Sequence, residues 1–192
     1  METPVIIGIA LAAAVVVAIF IVILLYNGLV RKRIDTDNAW SQIDVQLRRR
    51  YDLIPNLVEA VKGYAAHERE TLDAVISARA KAVAVSSDAA HAAEKAGAEN
   101  MLTAALGRLI AVAEAYPQLK ADQSFAGLQE ELASTENKIS FARQHFNDTV
   151  ARYEQARLTF PTNIVAAAFG FRQRQYFELE DQKVREAPKV SF

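Results

Sequence analysis

The hydrophobic pattern of this chain has two regimes. From Val5 to Tyr26 it reads VIIGIALAAAVVVAIFIVILLY, apolar on every face and free of charge. As a helix this run covers ~33 Å, enough to cross a bilayer core of ~30 Å. A secretory signal would carry a basic segment ahead of a shorter apolar run, whereas Met1-Glu2-Thr3-Pro4 is not basic. The run therefore predicts a transmembrane anchor.

Beyond the anchor the apolar positions become periodic. One series is Trp40, Ile43, Leu47, Ile54, Leu57, Val61, Tyr64, Leu72, Val75 and Ile76. A second is Leu102, Leu106, Leu109, Ala113 and Tyr116, and a third is Phe125, Leu128, Leu132, Ile139, Phe146, Val150 and Tyr153. Steps of three and four mark amphipathic helices with a coiled-coil-like seam. No two-residue alternation competes, so the chain is predicted to be all-α.

The breaks fall in AVSSDAAHAAEKAGAEN (84–100) and AYPQLKADQSF (115–125), with Ser or Asp near 86–88 and Asp122 as N-caps. Three helices with short connections predict an elongated antiparallel three-helix bundle, followed by a short C-terminal helix and an extended tail. The expected organisation is an anchor over 1–30 (span 5–26), a bundle over 31–158 and an aromatic tail over 159–192. Helix one would run from Ile34 to Val83, ~75 Å, against ~50–55 Å for its partners. Its membrane-proximal third would then lack partners within the chain.

That overhang contains RRRYDLIPNLVEAV, residues 48–61. Pro55 removes a backbone donor and frees the carbonyl of Tyr51, which favours a kink. The apolar seam stays in phase across it, so the segment is expected to be helical and bent. At 100° per residue, Val45, Asn56, Ala60 and Gly63 share an arc of about 60° on the opposite face. Small and amide residues there suggest a second contact seam for a neighbouring chain. Trp40 and Arg49, in the same overhang, complete the candidate oligomer interface.

AWSQIDVQLRRRYDLIPNLV, with YNGLVRKR before it and FPTNIVAAAFGFRQRQYFE and PKVSF after it, resembles the LemA family of bacterial membrane proteins. The resemblance covers nearly the whole chain, with little contribution from the Ala-rich second helix. It implies a membrane-anchored helical domain on the cytoplasmic side and no particular reaction. It also implies association with magnetosome membranes for some members, and TPM-domain proteins or membrane proteases as candidate partners for others.

Charge and chemistry narrow the classes. Lys+Arg 22 against Asp+Glu 23 gives a net charge of -1, with no basic excess for nucleic acid. Arg31, Lys32 and Arg33 follow the apolar run and no Lys or Arg precedes it. The positive-inside rule then places the N-terminus outside and the bundle in the cytoplasm, and the resemblance implies the bacterial inner membrane. The chain has no cysteine, hence no disulfide or thiolate site. His67 in HERET lacks the second histidine of a zinc-protease helix. Asp88 and His91 are three apart, but the repeated Glu-x-x-His motifs of di-metal bundles are missing. His145 is isolated. The expectation is a non-enzyme without metal or cofactor. Arg48, Arg49 and Arg50 would sit ~30 Å past the bilayer on an upright helix, beyond the ~8 Å Debye length. A solvated face or intersubunit ion pairing is expected for them.

In the tail, Phe160, Phe169, Phe171, Tyr176 and Phe177 lie close to Arg172 and Arg174, with Pro161 and Gly170 bracketing a short helix. Either an interfacial anchor or aromatic packing on protein fits this composition. Packing is the preferred reading, through Phe160, Phe169, Phe171, Phe177 and Phe192. Up–down topology would start this tail at the membrane-distal end. Two functions remain: a homo-oligomeric scaffold held by its bilayer span, or an adaptor coupling to a membrane protease or kinase. They differ in stoichiometry, since a scaffold forms large homo-oligomers alone.

Overall fold

The apolar run and the first amphipathic seam share one helix. The computed structural model describes residues 2–65 and 67–178 of the chain. Helix α1 (Glu2–Tyr64) continues unbroken through Gly28 and Pro55. Its N-terminal part is long and apolar enough to cross a membrane, and none of that apolar window is buried by the rest of the chain. The remainder is α2 (Arg69–Ala84), a single 3-10 turn (Ala89–His91), α3 (Ala92–Glu114), the one-turn α4 (Pro117–Lys120), α5 (Gln123–Leu158) and α6 (Thr162–Ala168). No strand occurs among the described residues.

The all-α class and antiparallel packing are as the periodicity predicts, but the first predicted helix is two. It ends at Tyr64, and the chain reverses before α2. No proline or left-handed glycine marks the reversal among the described residues, and Glu68 at the start of α2 makes no side-chain cap. The local signal is the stretch AAHERET, residues 65–71, which has no large apolar side chain. A helix continued through it would have nothing to bury there. Folding back instead buries Leu72, Val75, Ala78 and Ala82, and tertiary burial outweighs local propensity.

The extra reversal changes the direction of everything downstream. α1 leads away from the membrane side, α2 returns, α3 leads away, and α5 returns. At the far end the Tyr64 hydroxyl donates to Asp122 at 3.0 Å. At the near end Leu29 is buried with Tyr153, Val165 and Ala166. The tail therefore starts at the membrane-proximal end, correcting the expected distal position. The supposed overhang is covered as well. α5 packs along α1, and Trp40, Ile43, Leu47, Ile54, Leu57 and Val61 are all buried.

The caps follow the chemistry. The Asp122 carboxylate accepts from the N–H groups of Ser124 (2.8 Å) and Phe125 (3.0 Å), capping α5 as expected. Asp88 likewise accepts from Ala90 and His91, capping the 3-10 turn that leads into α3. α6 closes in a Schellman arrangement: Phe171 N–H donates to Ala166 at 2.9 Å and Gly170 N–H to Ala167 at 3.4 Å. Gly170 has φ +70°, the left-handed conformation that this ending requires.

Candidate functional site

Pro55 explains a contact between helices. Because it has no N–H, the Tyr51 carbonyl lacks its intrahelical donor. Arg79 on α2 supplies one, its Nε donating to that oxygen at 2.8 Å. The proline thus opens an acceptor on α1 that an arginine of the neighbouring helix fills.

One turn earlier the arginine cluster splits three ways. Arg48 pairs with Asp44 along α1 at 2.8 Å. Arg49 crosses to Glu131 on α5 at 2.6 Å. Arg50 points inward and is buried, with Nη1 3.3 Å from Glu99 and 3.1 Å from Glu136, and Nη2 donating to Thr103 at 2.8 Å. These partners belong to the same chain. Arg48 and Arg49 remain on the exposed face as expected, whereas buried Arg50 corrects the expected solvated or intersubunit role. Helical phase already put residue 50 on the inner side, but its charge obscured that placement.

Arg50 belongs to a buried polar cluster. Tyr51 donates its hydroxyl to Glu99, which also faces Arg50. Lys95 sits over the Tyr51 ring, 5.3 Å from its centroid. Its Nζ donates to the carbonyls of Ala82 (2.8 Å) and Val85 (3.3 Å), closing the C-terminus of α2. Burial pushes the Glu99 carboxyl above its ordinary value, although Tyr51, Arg50 and Lys95 pull it down. Burial pushes the Lys95 amine below its ordinary value. The Tyr51 hydroxyl is raised far above its own, by burial and then by Glu99. Through Arg50 the cluster links α1 to Glu99 and Thr103 on α3 and to Glu136 on α5. Beside it an apolar cleft of about 600 Å³ opens between α3 and α5, lined among others by Arg50, Leu106, Ile110 and Leu132.

The predicted interface residues divide. Val45 is 60% exposed, and Asn56 and Gly63 are exposed beside Pro55 and Lys62. Ala60 is half-buried against the core. A side chain added at Gly63 would meet nothing within 4 Å. Trp40 leaves the set: it is buried edge-on between Phe146 (5.2 Å between centroids) and Phe177 (5.5 Å). Arg49 is engaged with Glu131. One residue was missed. Phe141 on α5 is 74% exposed and shares a shallow depression of about 430 Å³ with Gln42, Val45, Gln46 and Lys138. It stands outside the apolar series of α5, and that offset was the available signal.

The tail aromatics divide too. Phe177 is buried, and its backbone exchanges two hydrogen bonds with the Asn147 amide. Phe171 is half-buried, and its ring meets Tyr26 with centroids 5.6 Å apart. Phe169 meets the same ring at 5.0 Å while remaining largely exposed. Phe160 is exposed. Phe192 lies outside the described residues. Asp88 and His91 bond each other at 2.9 Å, and no group of three metal-ligating side chains forms among the described residues.

A long apolar helix continuing directly into an antiparallel helical bundle defines a membrane-associated helical protein. The sequence profile of the LemA family matches residues 39–192, and the chain belongs to that family. Among curated relatives, the magnetosome protein MamQ of Magnetospirillum gryphiswaldense is 25% identical, across 91% of this chain and 72% of its own. MamQ 2 of Paramagnetospirillum magneticum is 25% identical, across 86% and 69%. Protein LemA of Metamycoplasma hominis is 26% identical, across 73% and 63%.

Proposed function

We propose that this protein is a non-catalytic scaffold, anchored by α1 with its bundle in the cytoplasm, that self-associates laterally to organise a membrane patch. One observation carries the reading. Val45 and Phe141 stand side by side and exposed on the outer face of the α1–α5 pair, the pair continuous with the membrane helix. Two large apolar side chains held out by rigid helices fit a protein neighbour better than water. The small and amide residues Gly63 and Asn56 extend the same face. Similarity to proteins named for magnetosomes agrees with a role at a specialised membrane. Arg31, Lys32 and Arg33 support the cytoplasmic placement.

A second reading rests on the α3–α5 cleft, whose apolar lining suits a helix or peptide of a partner such as a membrane protease or TPM-domain protein. Light scattering of the purified full chain in detergent separates the two. The scaffold gives homo-oligomers alone. Val45→Asp and Gly63→Leu shrink them while circular dichroism stays unchanged. A wild-type monomer at micromolar concentration would rule out the scaffold.

A further inference from the structure

We propose that α6 and its flanking turns form a second membrane contact, seating the bundle on the bilayer surface beside its own anchor. Residues 158–171, LTFPTNIVAAAFGF, contain no charge. Val165 and Ala166 face inward onto Leu29, with Leu25 beside them. The remaining large side chains face outward: Phe160 is 75% exposed, Ile164 is 60% exposed, and Leu158 and Phe169 are also exposed. Ala167 and Ala168 are exposed between them.

The position of this patch selects its occupant. Tyr26 is the last residue of the apolar span, and Phe169 meets its ring at 5.0 Å. The patch therefore lies level with the end of the membrane helix and continues its apolar surface sideways. Aromatic side chains at that depth suit the bilayer interface. Exposed Arg31 and Arg33 on α1 and Arg172 beyond α6 border the uncharged stretch, where cations meet lipid phosphates. Arg48 and Arg49, more than twenty residues past Tyr26 along α1, are excluded from such contact by the unbroken helix.

The absence of cysteine makes the test direct. Phe160→Cys, Ile164→Cys and, as a distant exposed reference, Ile76→Cys are each labelled with an environment-sensitive fluorophore. The full chain is reconstituted in phosphatidylcholine–phosphatidylglycerol vesicles carrying nitroxide-labelled acyl chains. Lipid quenching at positions 160 and 164 is expected to exceed that at 76 severalfold, with weak quenching by aqueous iodide. Quenching by iodide equal to that at 76 would place the patch in water and overturn the proposal. Protection from both quenchers would show a protein neighbour, such as a second copy, and would overturn it as well. Either of the two patch positions reports alone if the other variant misfolds.

Discussion

Pro55 and Arg79 act as one unit. Removing Arg79 leaves a Tyr51 carbonyl that the helix cannot satisfy, because residue 55 has no N–H to offer. Arg79→Ala is expected to cost about 1.5–3 kcal/mol in urea unfolding, the range for a hydrogen bond from a charged donor. In a Pro55→Ala background residue 55 regains its N–H, and the same substitution should cost much less. Equal costs in both backgrounds would show that Arg79 does not act through that carbonyl. Glu99 gives a pH prediction. Its folded-state pKa is raised, chiefly by burial, so the folded protein holds the proton more tightly than the unfolded chain. Its stabilising contribution is complete below the unfolded pKa and is lost as pH rises through the folded one. Stability relative to Glu99→Gln should therefore fall as pH rises above the ordinary carboxylate range. A difference independent of pH, measured by denaturant titration, would contradict the assignment. At this scale the sequence was half legible. The orphaned Tyr51 carbonyl follows from Pro55 alone, whereas its donor lies 28 residues away on α2, which meets α1 only because the chain reverses after Tyr64.

At the scale of elements, the seam positions were readable because periodicity reports burial directly. Nine of the ten predicted apolar positions from Phe125 to Tyr153 and Leu102 to Leu109, Leu128 being half-buried, are core residues. The reversal at 65–68 was not readable from the start of α2, where Glu68 makes no side-chain cap. Only the gap in large apolar residues betrayed it, and alanine-rich sequence is equally content to remain helical. That one reversal turned three helices into an up–down–up–down set of four and moved the tail to the membrane side. The tail then packs along α1 and α5, where Phe177 fills space against Trp40. Phe177→Ala should destabilise the fold by about 3–5 kcal/mol, as for other buried aromatic truncations, and should make the chain after α6 readily cleaved by protease. Unchanged stability and protease resistance would show that the tail is not part of the core.

At the scale of the molecule, the anchor and the bundle share α1, so the orientation of the bundle is tied to that of the membrane helix. The candidate assembly face was partly legible. Helical phase placed Val45, Asn56 and Gly63 outward, but Trp40 could not be assigned without knowing that α5 and the tail return over it. Phe141 was visible only as an apolar residue out of register. Lateral self-association through this face is the central claim, and the cysteine-free chain allows it to be tested in intact membranes. Val45→Cys, expressed full length and treated with a mild oxidant, should give disulfide-linked dimers, and Met101→Cys, exposed on α3, should not. Monomer alone at position 45, or equal crosslinking at both positions, would contradict the claim.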